Sequence, residues 1–398
     1  MKILVINAGS SSLKYQVFDM EKGEMIAKGL CDRIGVDGAI SHKRPGKDTY
    51  KKDVELRTHD DAIALVLKLL TDPELGVLTD ISEIGAVGHR FAHGGEKLTK
   101  STILGEQEKE YLYSIVGINP LHGPPAIKGL EACQKLLPNV SHVGVFDTSF
   151  YSQMPPSSYV YPIPYEYYET YKIRRYGFHG TSHRYVSGKA AEYVGKDIKE
   201  LKMITCHLGN GSSISAIKNG VCIDTSMGFT PQEGLPMGTR SGSIDPTVVT
   251  YLMNALGLSP KEMDDILNRK SGLLGVSGVS SDCREIMQAD EEGNPRAHLA
   301  MEILYHYIVK IIGSYAAEMD GLDVLVFTAG IGENDAVVRE SVCKRLGFLG
   351  VKIDEDKNRT AKRGEFCDMS LEGAAVKALC IPTDEEYMIA LDTYNLVK

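Results

Sequence analysis

The sequence predicts an α/β protein of two related halves, and three observations carry that expectation. The first is an N-terminal strand that runs into a Gly/Ser turn and out again over residues 2–19, with Asn7, Gly9, Ser10, Ser12 and Lys14 around the turn. The second is a repeat of that plan over 203–217, where Cys206, His207, Leu208, Gly209, Asn210, Gly211, Ser212 and Ser213 occupy the equivalent stretch. A tight hairpin with glycine, serine and unpaired backbone N–H groups grips phosphate, so two of them point to two halves facing one nucleotide. The third is that apolar runs at 84–89 and 143–146 end in polar residues, Arg90 and His93 after one and Asp147 after the other. Open α/β sheets place ligands at the carboxyl ends of such strands.

Composition bounds the rest. A chain of 398 residues, 43% hydrophobic and 24% charged, is too long for one compact core and reads as a soluble protein of two domains, not a disordered or fibrous one. A formal net charge of -9 repels nucleic acid and anionic membrane, so an anionic substrate has to be caught by a few placed cations. The eight cysteines are scattered, with no C-x-x-C pair, and no histidine cluster has metal-ligand spacing. Reduced, mostly buried thiols follow. The apolar run before Asn7 is too short for a signal peptide, and no stretch approaches a membrane span. The expectation is a cytoplasmic protein with neither nucleic acid nor membrane as partner.

Along the chain, the Lys- and Asp-rich stretch 21–60 reads as short strands and turns, and a helix follows over 62–70. A turn at 118–125 with two prolines starts a helix over 126–136. Residues 154–171, rich in Pro and Tyr, resist periodic assignment and read as a connection between domains. Next comes 174–183, leading into a helix capped by Thr181 or Ser182. The Gly/Pro-rich loop 224–240 has the length of a functional loop. Apolar residues 324–327 then lead through Gly330, Ile331, Gly332, Glu333 and Asn334 into a helix over 335–346. Strand, glycine turn and helix N-terminus make a third phosphate-binding arrangement. Near the C-terminus Thr383 and Glu386 form a capping box, which leaves Glu385 free, and Tyr387, Met388, Leu391 and Tyr394 share one side of the helix.

Each motif has a structural alternative. Ser10, Ser12 and Lys14 lie two apart and so project from one face of the returning strand, which a solvated edge hairpin would also allow. The turn after His207 could be a simple tight turn, yet three phosphate-type turns in one chain need a common explanation. Arg90 and Arg240 sit among small residues that leave a guanidinium room to fork onto a carboxylate or phosphate; a surface arginine is the alternative for each. Asp147 is either a capping residue or a functional one. Sequence spacing does not choose among His89, His93, His122, His179, His183 and His207.

Taken together, residues 7–14 and 207–214 resemble the two signatures of the acetokinase (acetate kinase) family. Residues 88–90, 146–148, 177–181 and 330–334 agree in order and spacing, so that the resemblance spans essentially the whole chain. It implies two duplicated ribonuclease-H-like domains, the core shared by sugar kinases, actin and heat-shock ATPases, with a central cleft. The final helix would return to the first domain, giving 1–148 plus 385–398 as the N-terminal domain and 149–384 as the nucleotide-binding one. The resemblance further implies that Asn7 and Glu385 hold Mg2+ (or Mn2+), and that Lys14, with Ser10 and Ser12, contacts nucleotide phosphates. ATP or ADP would bind at 206–210, at Asp282, Cys283 and Arg284, and at Gly330 to Asn334. Arg90 would bind the carboxylate of acetate, with Asp147 as the catalytic acidic residue and His179 and Arg240 stabilising the transferring phosphoryl group. Relatives are homodimers, and the Tyr-rich stretch 159–171 is a candidate contact.

Chemistry supports that division. Passing a γ-phosphoryl group to a carboxylate spreads negative charge over equatorial oxygens, which calls for arginines, an imidazole donor and Mg2+. A carboxylic acid with a pKa near about 4 to 5 is already ionised at neutral pH, so attack needs no general base. Asp147 is therefore expected to orient an arginine or the acyl substrate, and direct in-line transfer to acetyl phosphate is favoured over a phosphoenzyme. Two departures from the family pattern stand out. Ala92 replaces a bulkier residue in an acyl pocket formed with Leu121, Phe178 and Pro231, which keeps propionate open as an alternative substrate. Asp384 stands where asparagine is common and is expected to serve the helix N-terminus. The competing class is an ATP-driven chaperone or filament protein, which would leave Arg90 and the loop 231–240 without a use.

Overall fold

The computed structural model describes all of residues 1–398. The chain divides into two compact units, one of Met1–Ser152 with Asp384–Lys398 and the other of Gln153–Thr383. Residues 149–152 and Asp384, expected with the second part, thus pack with the first.

The first unit holds an eight-stranded sheet made of β1 Lys2–Ala8, β2 Leu13–Asp19, β3 Glu24–Asp32, β4 Ala39–Lys43, β5 Tyr50–Asp53, β6 Ile84–Phe91, β7 Thr102–Ile103 and β8 Ser141–Phe146, in the order β5-β4-β3-β2-β1-β6-β8-β7. The second holds six, β9 Lys202–Leu208, β10 Ser212–Lys218, β11 Val221–Thr225, β12 Val324–Thr328, β13 Cys367–Asp368 and β14 Lys377–Cys380, in the order β11-β10-β9-β12-β14-β13. Numbering the five shared strands by their own sequence order makes both sheets read 3-2-1-4-5. In each, the first three strands are antiparallel and the last two join in parallel. The duplication read from the two hairpins is therefore a duplication of sheet topology, as the ribonuclease-H-like expectation requires.

Alternation builds the core. In β1, Leu4 and Ile6 face the helices His59–Leu70 and Gly123–Leu136, while Ile3 and Val5 face the C-terminal helix Glu385–Val397. That last helix lies tight on β6: a Cβ added to Gly88 would come within 2.5 Å of the Thr393 hydroxyl and 2.7 Å of an Ile389 methyl. The residues it fully buries are Ile389, Ala390 and Thr393; of the expected face, Tyr387 and Tyr394 pack against that core, and Met388 and Leu391 are half-buried. In the second unit the helix Pro295–Met319 covers one face of the sheet with Ala300, Leu304, Ile308 and Ile312 fully buried. The leucine and the two isoleucines each contribute roughly 1.5–3 kcal/mol by leaving water.

Several local expectations are revised. The helix expected over 62–70 starts at His59, because Thr58 and Asp61 cap it reciprocally. Strand β2 begins only at Leu13, so Ser10 and Ser12 belong to the turn and Lys14 alone has a strand face. Residues 154–171 contain two short helices, Pro156–Tyr159 and Glu166–Tyr171. The helix Gly180–Val194 is capped neither by Thr181 nor by Ser182; both lie inside its first turn, and the residue before it, His179, adopts φ 59°. The glycine turn expected at 330–334 is itself a helix, Ala329–Asn334, with Asp335 capping the next one, Ala336–Lys344. The cap of the C-terminal helix is Asp384, which accepts from the Tyr387 N–H; Thr383 instead donates to Ser182 Oγ at 2.7 Å.

Candidate active site

In the first unit the carboxyl ends of β6 and β8 and the start of the C-terminal helix bring together Arg90, Asp147 and Glu385. Arg90 Nη2 donates to Asp147 Oδ2 at 2.7 Å, and Arg90 Nε lies 3.7 Å from Glu385 Oε2, too far for a hydrogen bond. Asp147 is 1% exposed and Glu385 18%, so the charges meet in a poorly solvated place. Asp147 first, then Glu385, raises the Arg90 pKa and keeps the guanidinium charged. Burial pushes the Glu385 carboxyl up to about 7, with Asp147 and Glu386 adding to the rise and Arg90 and Lys14 opposing it. Buried Arg90 Nε has no hydrogen-bond partner, a donor left for something outside the chain.

Asn7 and Lys14 face each other across the hairpin, one pair back from its turn. The turn is closed by Gly9 N–H donating to Ser12 O and is held from behind by His59, whose Nε2 lies 2.8 Å from Gly9 O. Ser10, Ser11 and Lys14 are exposed. No group of three or more His, Cys, Asp or Glu residues is arranged to enclose a metal ion. Mg2+ needs no such group, since it binds through one or two protein oxygens and keeps water and phosphate oxygens for the rest. Asn7 and Glu385 are hard oxygen donors of that kind, and a buried carboxylate this short of hydrogen-bond donors fits a cation partner.

In the second unit His179, His207 and Arg240 gather at the second hairpin. The His179 and His207 rings stack at 4.1 Å and 19°. A Cβ built on Gly211 would lie 3.3 Å from Arg240 Nη1 and 3.7 Å from the His179 ring, so both side chains lean on the hairpin turn. Arg240 has no carboxylate partner; its Nη1 donates weakly to Pro231 O at 3.3 Å, and burial lowers its pKa. A half-buried guanidinium without a counter-ion is a built anion receptor. The loop carrying it is fastened by Arg175, which donates to Glu233 Oε1 and Thr225 O, both at 2.8 Å, and Tyr161 donates to Glu233 as well.

A cavity of about 710 Å3 in the same unit is lined by Gly209, Asn210, Asp282, Cys283, Arg284, Gly330, Ile331 and Asn334, which unites three of the segments singled out from the sequence. It also takes in Asp335, where the expected helix was to start, and Ser281 and Arg363, for which the sequence held no local signal. Gly238 lets Asn210 sit there, since a Cβ at 238 would come within 2.1 Å of Asn210 Oδ1. The remaining predicted members do other work. The side chains of Cys206 and Leu208 are in the core. Glu333 turns inward to accept from Ala329 N–H at 2.8 Å and Thr383 N–H at 3.0 Å, and Gly332 is buried. Arg284 is exposed and paired with Asp282. Of the residues expected at the acyl group, Ala92 is half-buried and Leu121 exposed in the first unit, while Phe178 packs on Met227 and Met237 and Pro231 lies beside Arg240 in the second.

Comparison with known proteins agrees in extent with this layout. The model of the acetokinase family matches residues 2–391. The chain is 54% identical over 400 residues to the acetate kinase of Caldanaerobacter subterraneus subsp. tengcongensis, covering 100% of this chain and 99% of that one. Among solved structures it is similar to Porphyromonas gingivalis acetate kinase, with 45% identity, a TM-score of 0.96 and full coverage of both chains. It is also similar to a propionate kinase from Francisella tularensis, with 38% identity, a TM-score of 0.91 and 99% coverage of each.

Proposed function

Because the chain belongs to the acetokinase family, we propose that it is an acetate kinase, moving the γ-phosphoryl group of ATP onto acetate to give acetyl phosphate and ADP, reversibly and by direct in-line transfer. The observation that carries the reading is the full-length likeness to acetate kinases, and the side-chain geometry accounts for it.

Arg90 binds the acetate carboxylate through the donor it has to spare, while Asp147 holds the other end of the guanidinium in place. Acetate is already an anion, so Asp147 orients and removes no proton. Arg240 and His179 meet the transferring group, where charge on the equatorial oxygens is stabilised by donors already in position. Asn210, Gly330 and Asn334 line the cavity that we assign to the nucleotide, and Lys14, Ser10 and Ser12 are the phosphate contacts that the family likeness implies. Asn7 and Glu385 would hold Mg2+ (or Mn2+), which when bound draws charge off the phosphate oxygens. Ala92, Leu121, Phe178 and Pro231 are the residues that the family likeness assigns to the acyl group. A cytoplasmic setting is supported by eight unpaired cysteines, and no helix is long and apolar enough to cross a membrane. A second copy of the chain is the partner we assign, with the Tyr-rich stretch 159–171, where Tyr165, Tyr167 and Tyr171 are exposed, as the candidate contact.

The purified chain, given ATP, Mg2+ and acetate, should yield an acyl phosphate that hydroxylamine traps as the hydroxamate. ATP hydrolysis at one rate with or without acetate, and no hydroxamate, would return the chain to the chaperone or filament class.

A further inference from the structure

Behind the stacked imidazoles of the second unit runs a chain of buried hydrogen bonds. Thr205 Oγ1 lies 2.7 Å from His183 Nδ1; His183 Nε2 lies 2.8 Å from Ser213 Oγ; Ser213 Oγ lies 2.9 Å from His179 Nδ1. Thr205, His183 and Ser213 are each 0% exposed.

Proton accounting gives this chain one direction. The Thr205 hydroxyl has a single hydrogen-bond partner, His183 Nδ1, and a buried O–H that donates to nothing loses the worth of a hydrogen bond, about 1–3 kcal/mol. Thr205 therefore donates, and His183 Nδ1 accepts. Burial drives the His183 pKa well down and keeps that ring neutral, so its one proton is on Nε2 and is donated to Ser213 Oγ. Ser213 Oγ, accepting there, has its own proton for the only other partner it has, His179 Nδ1. A nitrogen that accepts carries no proton, and the proton of a neutral His179 is left on Nε2. A parallel path serves the ring stacked on it: Thr383 Oγ1 donates to Ser182 Oγ at 2.7 Å, and Ser182 Oγ lies 2.8 Å from His207 Nδ1. Two neutral rings stack at 4.1 Å without the repulsion of two imidazoliums.

We infer that Thr205, His183 and Ser213 are positioning residues that fix His179 as a neutral imidazole with its proton on Nε2, and thereby decide which atom of His179 donates to the transferring phosphoryl group. The inference rests on the role given to His179 above. His179 precedes its helix at φ 59°, a backbone conformation that also fixes where its ring starts.

The test is a long-range proton–nitrogen correlation spectrum of the full chain labelled with 15N-histidine, with His179 identified by the signal missing in His179→Asn. At neutral pH, Nδ1 should resonate as an unprotonated nitrogen and Nε2 as a protonated one. Ser213→Ala should let both tautomers exchange at His179 and lower kcat by about 10- to 100-fold, with the KM values for ATP and acetate little changed; Ser213→Thr, which keeps the hydroxyl, should recover most of it. A proton on Nδ1 of His179 in the unaltered chain would overturn the inference, and so would Ser213→Ala with tautomer and kcat unchanged. The nitrogen shifts need no turnover: a Nε2–H His179 in a protein that makes no acyl phosphate would leave the relay standing and sink the proposed function.

Discussion

One pair back from the turn of the first hairpin, Asn7 faces Lys14; in the second hairpin the same place is held by His207 and Ser213. Both pairs sit on one backbone plan, the central antiparallel strands of a 3-2-1-4-5 sheet. Lys14 is exposed and Asn7 half-buried, whereas His207 and Ser213 are both buried. One copy therefore presents a charge and an oxygen to solvent, and the other withdraws its polar groups into a dry hydrogen-bonded network. The lesson is that duplication supplied two equivalent scaffolds and burial sorted the chemistry. The wet copy suits a hydrated cation and phosphate, and the dry one suits donors that must not reorganise while charge develops.

The arginines repeat the contrast, and exchanging them for alanine is the sharpest way to break it. Arg90 is tied to buried Asp147 and faces Glu385, while Arg240 has no carboxylate. Arg90→Ala should cost kcat/KM about 10³-fold or more, and also about 3–5 kcal/mol of stability, because it strands buried carboxylates. Arg240→Ala should cost kcat about 10²- to 10³-fold with little change in Tm. Equal losses of Tm in the two variants would show that the second unit is not the uncompensated one.

Glu385 sharpens the same point through pH. A carboxyl whose folded pKa is about 7, against an ordinary value of 4.5, holds its proton longer in the folded chain than in the unfolded one. Stability is then fully present below pH 4.5 and declines as pH rises toward 7. Without Mg2+, Glu385→Gln should accordingly have a higher Tm than the unaltered chain at pH 8 and lose that advantage at pH 4.5, while activity falls steeply. A Tm difference independent of pH across that window would mean that the carboxylate is not held against its own burial.

How far these contrasts could be read in the sequence depended on the range of the interaction. The hairpins were legible because period-two alternation and turn glycines are local, and the strand-end positions of Arg90 and Asp147 were legible for the same reason. Ser10 and Ser12 also fit the alternation but lie before β2, since Gly9 N–H bonds to Ser12 O and closes the turn first. The capping box expected of Thr383 and Glu386 was locally sound; it lost because Ser182, 201 residues away in sequence, takes the Thr383 hydroxyl and Asp384 is there to replace it. The helix at Ala329–Asn334 was read as a turn because Gly330 and Gly332 disfavour helix. What overrides them is tertiary: Glu333 folds back on Ala329 N–H, and the buried guanidinium of Arg339 binds the carbonyls of Gly332 and Glu333. Arg363 in the cavity beside Asn210 and the path through His183 have no local pattern at all.

The smallest effect expected separates size from charge. Ala92 lies two residues beyond Arg90, on the charged side of the comparison, and is neither ionisable nor fully buried. If the first unit sets which acyl group is accepted, Ala92→Val should lower kcat/KM for propionate relative to acetate by roughly 10-fold, since one methylene in such a pocket is worth about 1–3 kcal/mol. The Arg90 to Asp147 bond is untouched by that change, so kcat for acetate should stay within about twofold. Rates on acetate, propionate and butyrate measured side by side decide it. A ratio that does not move would take Ala92 out of the acyl pocket and leave chain-length selection to Phe178 and Pro231, on the dry side, where packing against Met227 and Met237 would have to supply it.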